Sequence, residues 1–285
     1  RPRPGWSLLS VDLSRLSLNQ ATTRQWSVRE AAEGCARAGI SWIGLWRDKV
    51  AETGLKESAR IVRGAGLKVS SLCRGGMFPA STQRERLVNL DDNRRAVDEA
   101  AALGAEVLVL VCGAAPDRDI GAARGTVQDG VEALVPYARE AGVVLGVEPL
   151  HPAFAADRSV VCTLGEATGI VRRVGSPGVG VVVDAYHVWW DPALYEEIAR
   201  ASGAIVGFHV DDWTRGGGDP LLSRGLMGDG VIELRRMREA VEAAGYHGPI
   251  EVEIFNEALW ATPGDEVLET VKRRYLEHVL AGVPS

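Results

Sequence analysis

The 285-residue sequence is poor in cysteine and lacks long hydrophobic runs. Its four cysteines form no C-x-x-C pair, and a chain of this length can bury a core without disulfides. We therefore expect free thiols and a reducing, cytoplasmic location. No run of about 18 apolar residues is present, so a membrane-spanning helix is not expected.

An excess of positive charge is also missing, because the formal net charge is −6 at pH 7. Binding to nucleic acid or to an anionic membrane is therefore not expected. Neither of the glycine-rich phosphate loops, G-x-G-x-x-G or G-x-x-x-x-G-K-[ST], follows an apolar run. Their absence argues against a doubly wound, nucleotide-binding open sheet.

A pattern repeats along the chain: an amphipathic stretch ends in glycine, and a β-rich apolar run follows. Glycine just past a helix readily adopts the left-handed conformation that ends it, and continuous apolar runs are typical of buried parallel strands. Seven runs fit the pattern, at residues 40–46, 67–73, 106–112, 143–148, 179–184, 204–209 and 249–254. An eighth run, Trp6–Val11, is the predicted first strand.

Eight strands that alternate with eight helices predict a parallel sheet with right-handed crossovers. We therefore predict an α/β fold, a single (β/α)₈ TIM barrel that spans residues 1–285 as one domain. Ser27–Glu30 has the pattern of a capping box at a helix start. One face of the predicted C-terminal helix is apolar, at Val267, Leu268, Val271, Tyr275 and Val279.

The last four predicted strands each carry a metal-ligand residue near the point where the apolar run stops. These residues are Glu148, Asp184, His209 and Glu253. Each alone has an ordinary explanation, such as a helix cap or an ion pair, but four on adjacent strands about 4.8 Å apart can meet around one ion. Three buried carboxylates would also be very costly without a cation. We predict one divalent ion, Mn²⁺ first, with Mg²⁺, Co²⁺, Zn²⁺ or Fe²⁺ as alternatives.

The motifs at these strand ends resemble those of the xylose-isomerase-like superfamily. They are Val-Glu-Pro-Leu at 147–150, Asp-x-x-His at 184–187, His-x-x-Asp at 209–212 and the glutamate at 253. That superfamily includes ketose 3-epimerases, hydroxypyruvate isomerases, inosose dehydratases and endonuclease IV. The resemblance covers nearly the whole chain in strand order, and its specific residues lie mostly between 146 and 255.

The resemblance implies a role for each matching position. The four strand-end residues match a single-metal ligand set, in which Glu148 and Glu253 also act as acid and base on opposite faces of the substrate. His187 matches a histidine that contacts a substrate oxygen. Arg215 and Arg224 are competing candidates for a substrate-binding arginine, because the loop here is longer than in the epimerases.

Three further residues are candidates for substrate binding, each with an ordinary alternative. Trp46 could form an apolar wall against a sugar ring or simply pack in the core. Arg74, at the end of the third strand, could bind a polar substrate or pair with a loop carboxylate. His151 follows the Val-Glu-Pro-Leu motif and could reach the substrate or lie at the surface.

Departures from the pattern exclude some members of the superfamily. Endonuclease IV enzymes carry extra histidines where this chain has Cys73-Arg74 and Cys112-Gly113. DNA repair is therefore not expected. True xylose isomerases hold two metals with a Lys-x-Glu motif and more ligands than this sequence offers.

The sequence thus predicts a metal-dependent sugar isomerase or epimerase. It would remove a proton alpha to the carbonyl of a keto-sugar through a metal-stabilised enediolate. The alternative is a dehydratase or lyase that acts on a cyclitol ketone or 3-keto sugar at the same metal site. A partner-dependent or non-catalytic barrel is the third reading. The expected partner is a small sugar or cyclitol, and a homo-oligomer is compatible with the sequence.

Overall fold

A computed structural model describes residues 12–216 and 218–280. Its eight parallel barrel strands are β1 Leu16–Asn19, β2 Trp42–Trp46, β3 Lys68–Gly76, β4 Ala105–Val111, β5 Val144–Glu148, β6 Val179–Asp184, β7 Ile205–Val210 and β8 Ile250–Val252. Each strand pairs with its neighbours in chain order, and β1 also pairs with β8, which closes the barrel. The predicted (β/α)₈ barrel is confirmed.

The helices cover the outside of this barrel. They are α1 Val28–Ala38, α2 Arg47–Thr53, α3 Leu55–Gly64, α4 Gln83–Leu103, α5 Ile120–Glu140, α6 Leu164–Val174, α7 Ala185–Val188, α8 Leu194–Arg200, α9 Leu234–Ala243, α10 Glu257–Trp260 and α11 Gly264–Arg274. Some connections hold two short helices, so the described chain has more helical segments than the eight predicted. None of these described helices is both long and apolar enough to cross a membrane.

The local signals that predicted the helix ends are confirmed. Each of the seven glycines that precede the later strands has a positive φ, between 61° and 97°. They are Gly39, Gly66, Gly104, Gly142, Gly175, Gly203 and Gly245. Ser27 and Glu30 form a reciprocal capping box at the start of α1. The five residues of the predicted C-terminal apolar face are each at most 1% exposed. The last two, Tyr275 and Val279, lie in the π-helical turn that follows α11.

The position of the first strand corrects the prediction. The strand that closes the barrel is Leu16–Asn19, while the predicted strand Trp6–Val11 lies outside the described residues. This strand alternates apolar and polar side chains. Leu16 and Leu18 pack in the main core, whereas Ser17 and Asn19 hydrogen-bond to polar groups of other strands. An apolar-run criterion does not detect such a strand.

A buried asparagine fixes the end of β3 at the mouth of the barrel. Asn93 of α4 accepts a hydrogen bond from the backbone N–H of Gly76 at 2.6 Å and donates one to its carbonyl at 2.7 Å. Asn93 is 1% exposed, so these backbone groups have little access to water. This contact positions the strand end that carries Arg74.

We expect Asn93→Ala to lower the free energy of unfolding by about 2–4 kcal/mol, because two buried backbone groups each lose a partner at roughly 1–3 kcal/mol. The midpoint of urea unfolding, followed by circular dichroism, measures the effect. Asn89→Ala is the matched control, since Asn89 is only partly buried and its side chain donates a single bond, to the carbonyl of Met77. Equal midpoints for the two variants would contradict the proposed importance of Asn93.

Candidate metal centre

Four side chains from adjacent strands converge at the carboxyl end of the barrel. Glu148 and Asp184 end β5 and β6, His209 lies in β7, and Glu253 directly follows β8. One ligand atom from each lies within 4.8 Å of the other three. All four residues are at most 4% exposed. The structure therefore brings together the four residues predicted to bind a metal.

The chemistry of this group fits a divalent cation. Glu148 Oε1 and His209 Nδ1 lie 3.3 Å apart, and within the described part of the chain neither atom has a hydrogen-bond partner. Buried polar atoms rarely remain without partners in folded proteins. A cation that takes three carboxylate oxygens and one imidazole nitrogen would satisfy both atoms.

Arg224 brings a positive charge into the same buried region. Its Nη1 donates hydrogen bonds over 2.9–3.3 Å to three carboxylates, those of Asp184, Asp211 and Glu253. Burial alone would lower the pKa of Arg224, but these carboxylates raise it above its ordinary value. The guanidinium therefore stays charged and offsets part of the negative charge.

The carboxyl groups of the site differ in their affinity for protons. Burial raises the pKa of Glu148 to about 7, against the lowering effect of His209. Burial tends to raise the pKa of Glu253 as well. The contacts of this carboxylate with His209 and Arg224 have the larger effect and lower its pKa. Burial raises the pKa of Asp211 well above its ordinary value. The site thus places groups of different proton affinity side by side.

His187 is a neutral imidazole with a defined orientation. Burial lowers its pKa to about 3. Its Nδ1 lies 3.2 Å from the backbone N–H of His151, and its Nε2 lies 3.2 Å from Arg224 Nη2 and 3.6 Å from Asp184. A neutral ring has one acceptor nitrogen, so only one of these two N–H groups can donate to it. The imidazole thus lies between the backbone of His151 and the metal-ligand group.

Asp212 holds the loop that delivers Arg224. Its carboxylate accepts hydrogen bonds from the backbone N–H groups of Gly228, Gly230 and Ile232 at 2.9–3.0 Å. The segments Asp212–Trp213 and Arg224–Gly225 also pair as a short antiparallel ladder. These bonds turn Arg224 inward, between the rings of Tyr186 and Phe255.

A third buried glutamate, Glu251, lies on the other side of His209 and was not predicted from the sequence. Its Oε1 is 3.9 Å from His209 Nε2. It accepts hydrogen bonds from Asn19 at 2.6 Å, Ser70 at 2.6 Å and Ser71 at 2.8 Å. Asn19 also donates to Glu253 at 3.0 Å. This network ties His209 and Glu253 to the barrel interior.

The metal-ligand group lies at one end of a cavity of about 810 Å³. Its polar lining includes Glu148 and Glu253 and five arginines: Arg24, Arg47, Arg74, Arg158 and Arg224. Its apolar lining includes Trp46, Leu150, Phe154, Leu221, Phe255 and Trp260. The volume suits a small organic ligand.

The structure separates the predicted substrate-binding residues into two groups. Four of them line the cavity: Trp46, Arg74, His187 and Arg224. Two do not. The His151 side chain accepts a bond from Ala153 N–H and stacks on Trp213 at 4.6 Å, and Arg215 is exposed. Of the two competing arginines, only Arg224 reaches the site.

Comparison with known families agrees with this architecture. The model of the xylose isomerase-like TIM barrel family matches residues 32–275. The chain belongs to this family. The match spans every strand of the barrel except β1, and it includes all four metal-ligand candidates.

Two of the relatives of this chain are named as different kinds of enzyme. The crystal structure of protein SMc04130 from Sinorhizobium meliloti 1021 is 50% identical, with a TM-score of 0.92, over 95% of this chain and 100% of that one. A 3-dehydroshikimate dehydratase of Pseudomonas putida is 30% identical over 64% of this chain, which spans only 28% of that protein's length. The L-ribulose-5-phosphate 3-epimerase UlaE of Shigella sonnei is 26% identical over 73% of this chain and 71% of its own.

We expect the protein to bind one equivalent of divalent metal, and Glu148→Gln and His209→Ala to lose it. The metal stabilises the folded state that binds it, so Mn²⁺ should raise the thermal midpoint of the wild type and of neither variant. Elemental analysis and thermal unfolding measure the two effects. Glu106→Gln is the control, because Glu106 is an exposed glutamate of β4. Metal retained in both variants would contradict the assigned ligand set.

We expect Gly44→Ala to weaken metal binding by about 10- to 100-fold, the usual effect of losing a group that orients a ligand. A Cβ at Gly44 would lie 2.0 Å from Glu251 Oε1, so this carboxylate must leave the position in which it accepts from Asn19 and Ser71 and lies beside His209. Calorimetric titration with Mn²⁺ measures the affinity. Gly64→Ala is the control, since a Cβ there meets no atom within 4 Å. An unchanged affinity would show that Glu251 does not orient His209.

Proposed function

We propose that the chain is a divalent-metal-dependent isomerase or epimerase that moves a proton next to the carbonyl of a keto-sugar. One observation carries the proposal. The buried group of three carboxylates and one imidazole lies at one end of a cavity of about 810 Å³, and two of its glutamates line that cavity. A metal buried for structural reasons alone would not require open space beside its ligands.

Glu148, Asp184, His209 and Glu253 would hold the ion. When bound, a divalent cation would polarise a carbonyl oxygen and stabilise the negative charge that develops on it. Proton transfer and substrate orientation would then fall to side chains of the chain itself.

Glu148 and Glu253 are the proposed proton-transfer groups. They extend from β5 and β8, which are separated in the barrel by β6 and β7, and both line the cavity. A ligand between them would present different faces to the two carboxyl groups. One glutamate can therefore remove a proton and the other can return one from the opposite side, which is the requirement of an epimerisation.

His187 and Arg224 are the proposed donors to substrate oxygens. The imidazole of His187 and the guanidinium of Arg224 lie together beside Asp184, and both residues line the cavity. Trp46 would form part of the apolar wall, held by a 2.8 Å hydrogen bond from its indole N–H to Asn19. Hydroxyl and carbonyl oxygens of a sugar need such donors, whereas its C–H faces suit an aromatic wall.

A dehydratase is the second candidate, favoured by the 30% identity to a protein named 3-dehydroshikimate dehydratase. Both reactions begin with removal of a proton next to a carbonyl. They differ afterwards, because the lyase expels a β-hydroxyl as water and the epimerase takes a proton back. The mass of the product therefore separates the two reactions.

Incubation of the Mn²⁺-loaded protein with ketoses, ketocyclitols and 3-keto sugars in deuterated water tests the proposal. An isomerase or epimerase should incorporate deuterium at the carbon next to the carbonyl, whereas a dehydratase should release a product lighter by one water. Mass spectrometry and proton NMR distinguish these outcomes. No deuterium uptake and no water loss across the set would leave a non-catalytic barrel and defeat the proposal.

Within this test we expect Glu253→Gln to lower kcat by about 10²- to 10⁴-fold, the usual contribution of a general acid or base. The rate is compared at Mn²⁺ concentrations at which elemental analysis finds the variant loaded, so that loss of metal is not the cause. Glu257→Gln is the matched control, because Glu257 is an exposed glutamate four residues along the chain. A loaded Glu253→Gln with wild-type kcat would remove this residue from proton transfer.

A further inference from the structure

The arginines of the cavity differ in whether the protein already neutralises them. Three are paired: Arg24 with Asp48 at 2.7 Å, Arg47 with Asp92 and Glu99 at 3.0 and 2.6 Å, and Arg224 with the carboxylates of the metal centre. The remaining two are Arg74 and Arg158. Among the described residues, Arg74 has no acidic partner, and Arg158 has only the long contact with Asp157 at 3.6 Å.

Arg74 is the clearer of these two cases. Its guanidinium makes no ion pair or hydrogen bond within residues 12–216 and 218–280, although the side chain is partly buried at the end of β3. Arg158 Nε lies 3.6 Å from the carboxylate of its neighbour Asp157, which is too long for a hydrogen bond. This nitrogen is buried without a hydrogen-bond partner in the described chain. Guanidinium groups pair with carboxylates or phosphates through charge-assisted bonds, so these two arginines can bind an anionic group.

Both arginines belong to one wall of the cavity. Backbone hydrogen bonds join the segment after β3 to β4, from Met77 N–H to Val111 and from Phe78 N–H to Cys112. The next residue, Gly113, donates to the carbonyl of Arg158 at 2.9 Å. These bonds join the segments that follow β3 and β4 to the loop after β5 that carries Arg158.

This wall adjoins the metal centre. Cys73, the residue before Arg74, lines the cavity together with Glu148 and Glu253. Burial raises the pKa of the Cys73 thiol, and the nearby carboxylates of Glu253 and Glu148 raise it further. Arg74, Glu148 and Glu253 thus line one cavity of about 810 Å³, which a single small molecule can occupy.

We propose that the substrate carries an anionic group, a carboxylate or a phosphate, which Arg74 binds with Arg158 beside it while the keto group faces Glu148 and Glu253. This inference rests on the proposed function, because it names the substrate class of the same cavity. It adds an anionic group to the small sugar or cyclitol expected from the sequence. No glycine-rich loop is required, since two side chains supply the positive charge.

Titration calorimetry with inorganic phosphate and with malonate, each on Mn²⁺-loaded and on EDTA-treated protein, tests the proposal. The wild type should bind at least one of these anions in both preparations. Arg74→Ala should weaken that binding by about 10- to 100-fold, the range expected for a charge-assisted pair. Arg158→Ala should weaken it less, and Arg74→Lys should restore part of it. Binding of phosphate but not malonate identifies a phosphate substrate, and the reverse identifies a carboxylate.

Arg63→Ala is the matched control, because Arg63 is exposed on α3 and does not line the cavity. It removes the same charge and should leave anion binding unchanged. Thermal unfolding checks that Arg74→Ala is folded. If it is not, the weaker anion binding expected of Arg158→Ala tests the inference instead. Wild-type anion binding in both cavity variants, or none in the wild type, would overturn the inference.

The EDTA-treated samples separate this result from the fate of the proposed function. If Arg74→Ala loses anion binding and the wild type binds no metal, the anion site is supported and the metal-dependent reaction is contradicted. Turnover of a neutral ketose without anion binding would do the opposite.

Discussion

Negative charge gathered in a dry barrel mouth is the constraint on which the rest of the site depends. Glu148, Asp184, Asp211 and Glu253 are each at most 4% exposed, and one guanidinium and two imidazoles lie among them. A buried carboxylate without compensation is costly, so the surrounding structure supplies compensation at each point. Arg224 enters from a long loop for this reason. Glu148 Oε1 and His209 Nδ1, which have no hydrogen-bond partner among the described residues, mark where a cation would complete the balance.

Much of this arrangement was predictable because parallel strands present their carboxyl ends on one side of a barrel. An apolar run that stops at Glu148 or Asp184 marks both the strand and its end, so the metal-ligand set followed from position alone. Glu251 was missed although its signal was present. It is two residues before Glu253, and alternate residues of a strand share a face.

Other parts depended on contacts that no local pattern records. Asn19 was not found because its strand alternates in polarity and is short, and a more apolar run upstream attracted the assignment. Arg215 and Arg224 are equivalent by composition, and only the ladder anchored at Asp212 makes Arg224 the inward one. His151 follows the metal-ligand motif closely, yet its ring caps the turn at Pro152–Phe154 and only its backbone N–H touches His187.

The ladder anchored at Asp212 also has an evolutionary consequence. It pins the loop at its base, between Asp212–Trp213 and Arg224–Gly225, while the tip between them contributes Leu221 to the cavity wall. Insertions, deletions and substitutions in the tip can therefore reshape the binding surface without displacing Arg224 or the metal-ligand set.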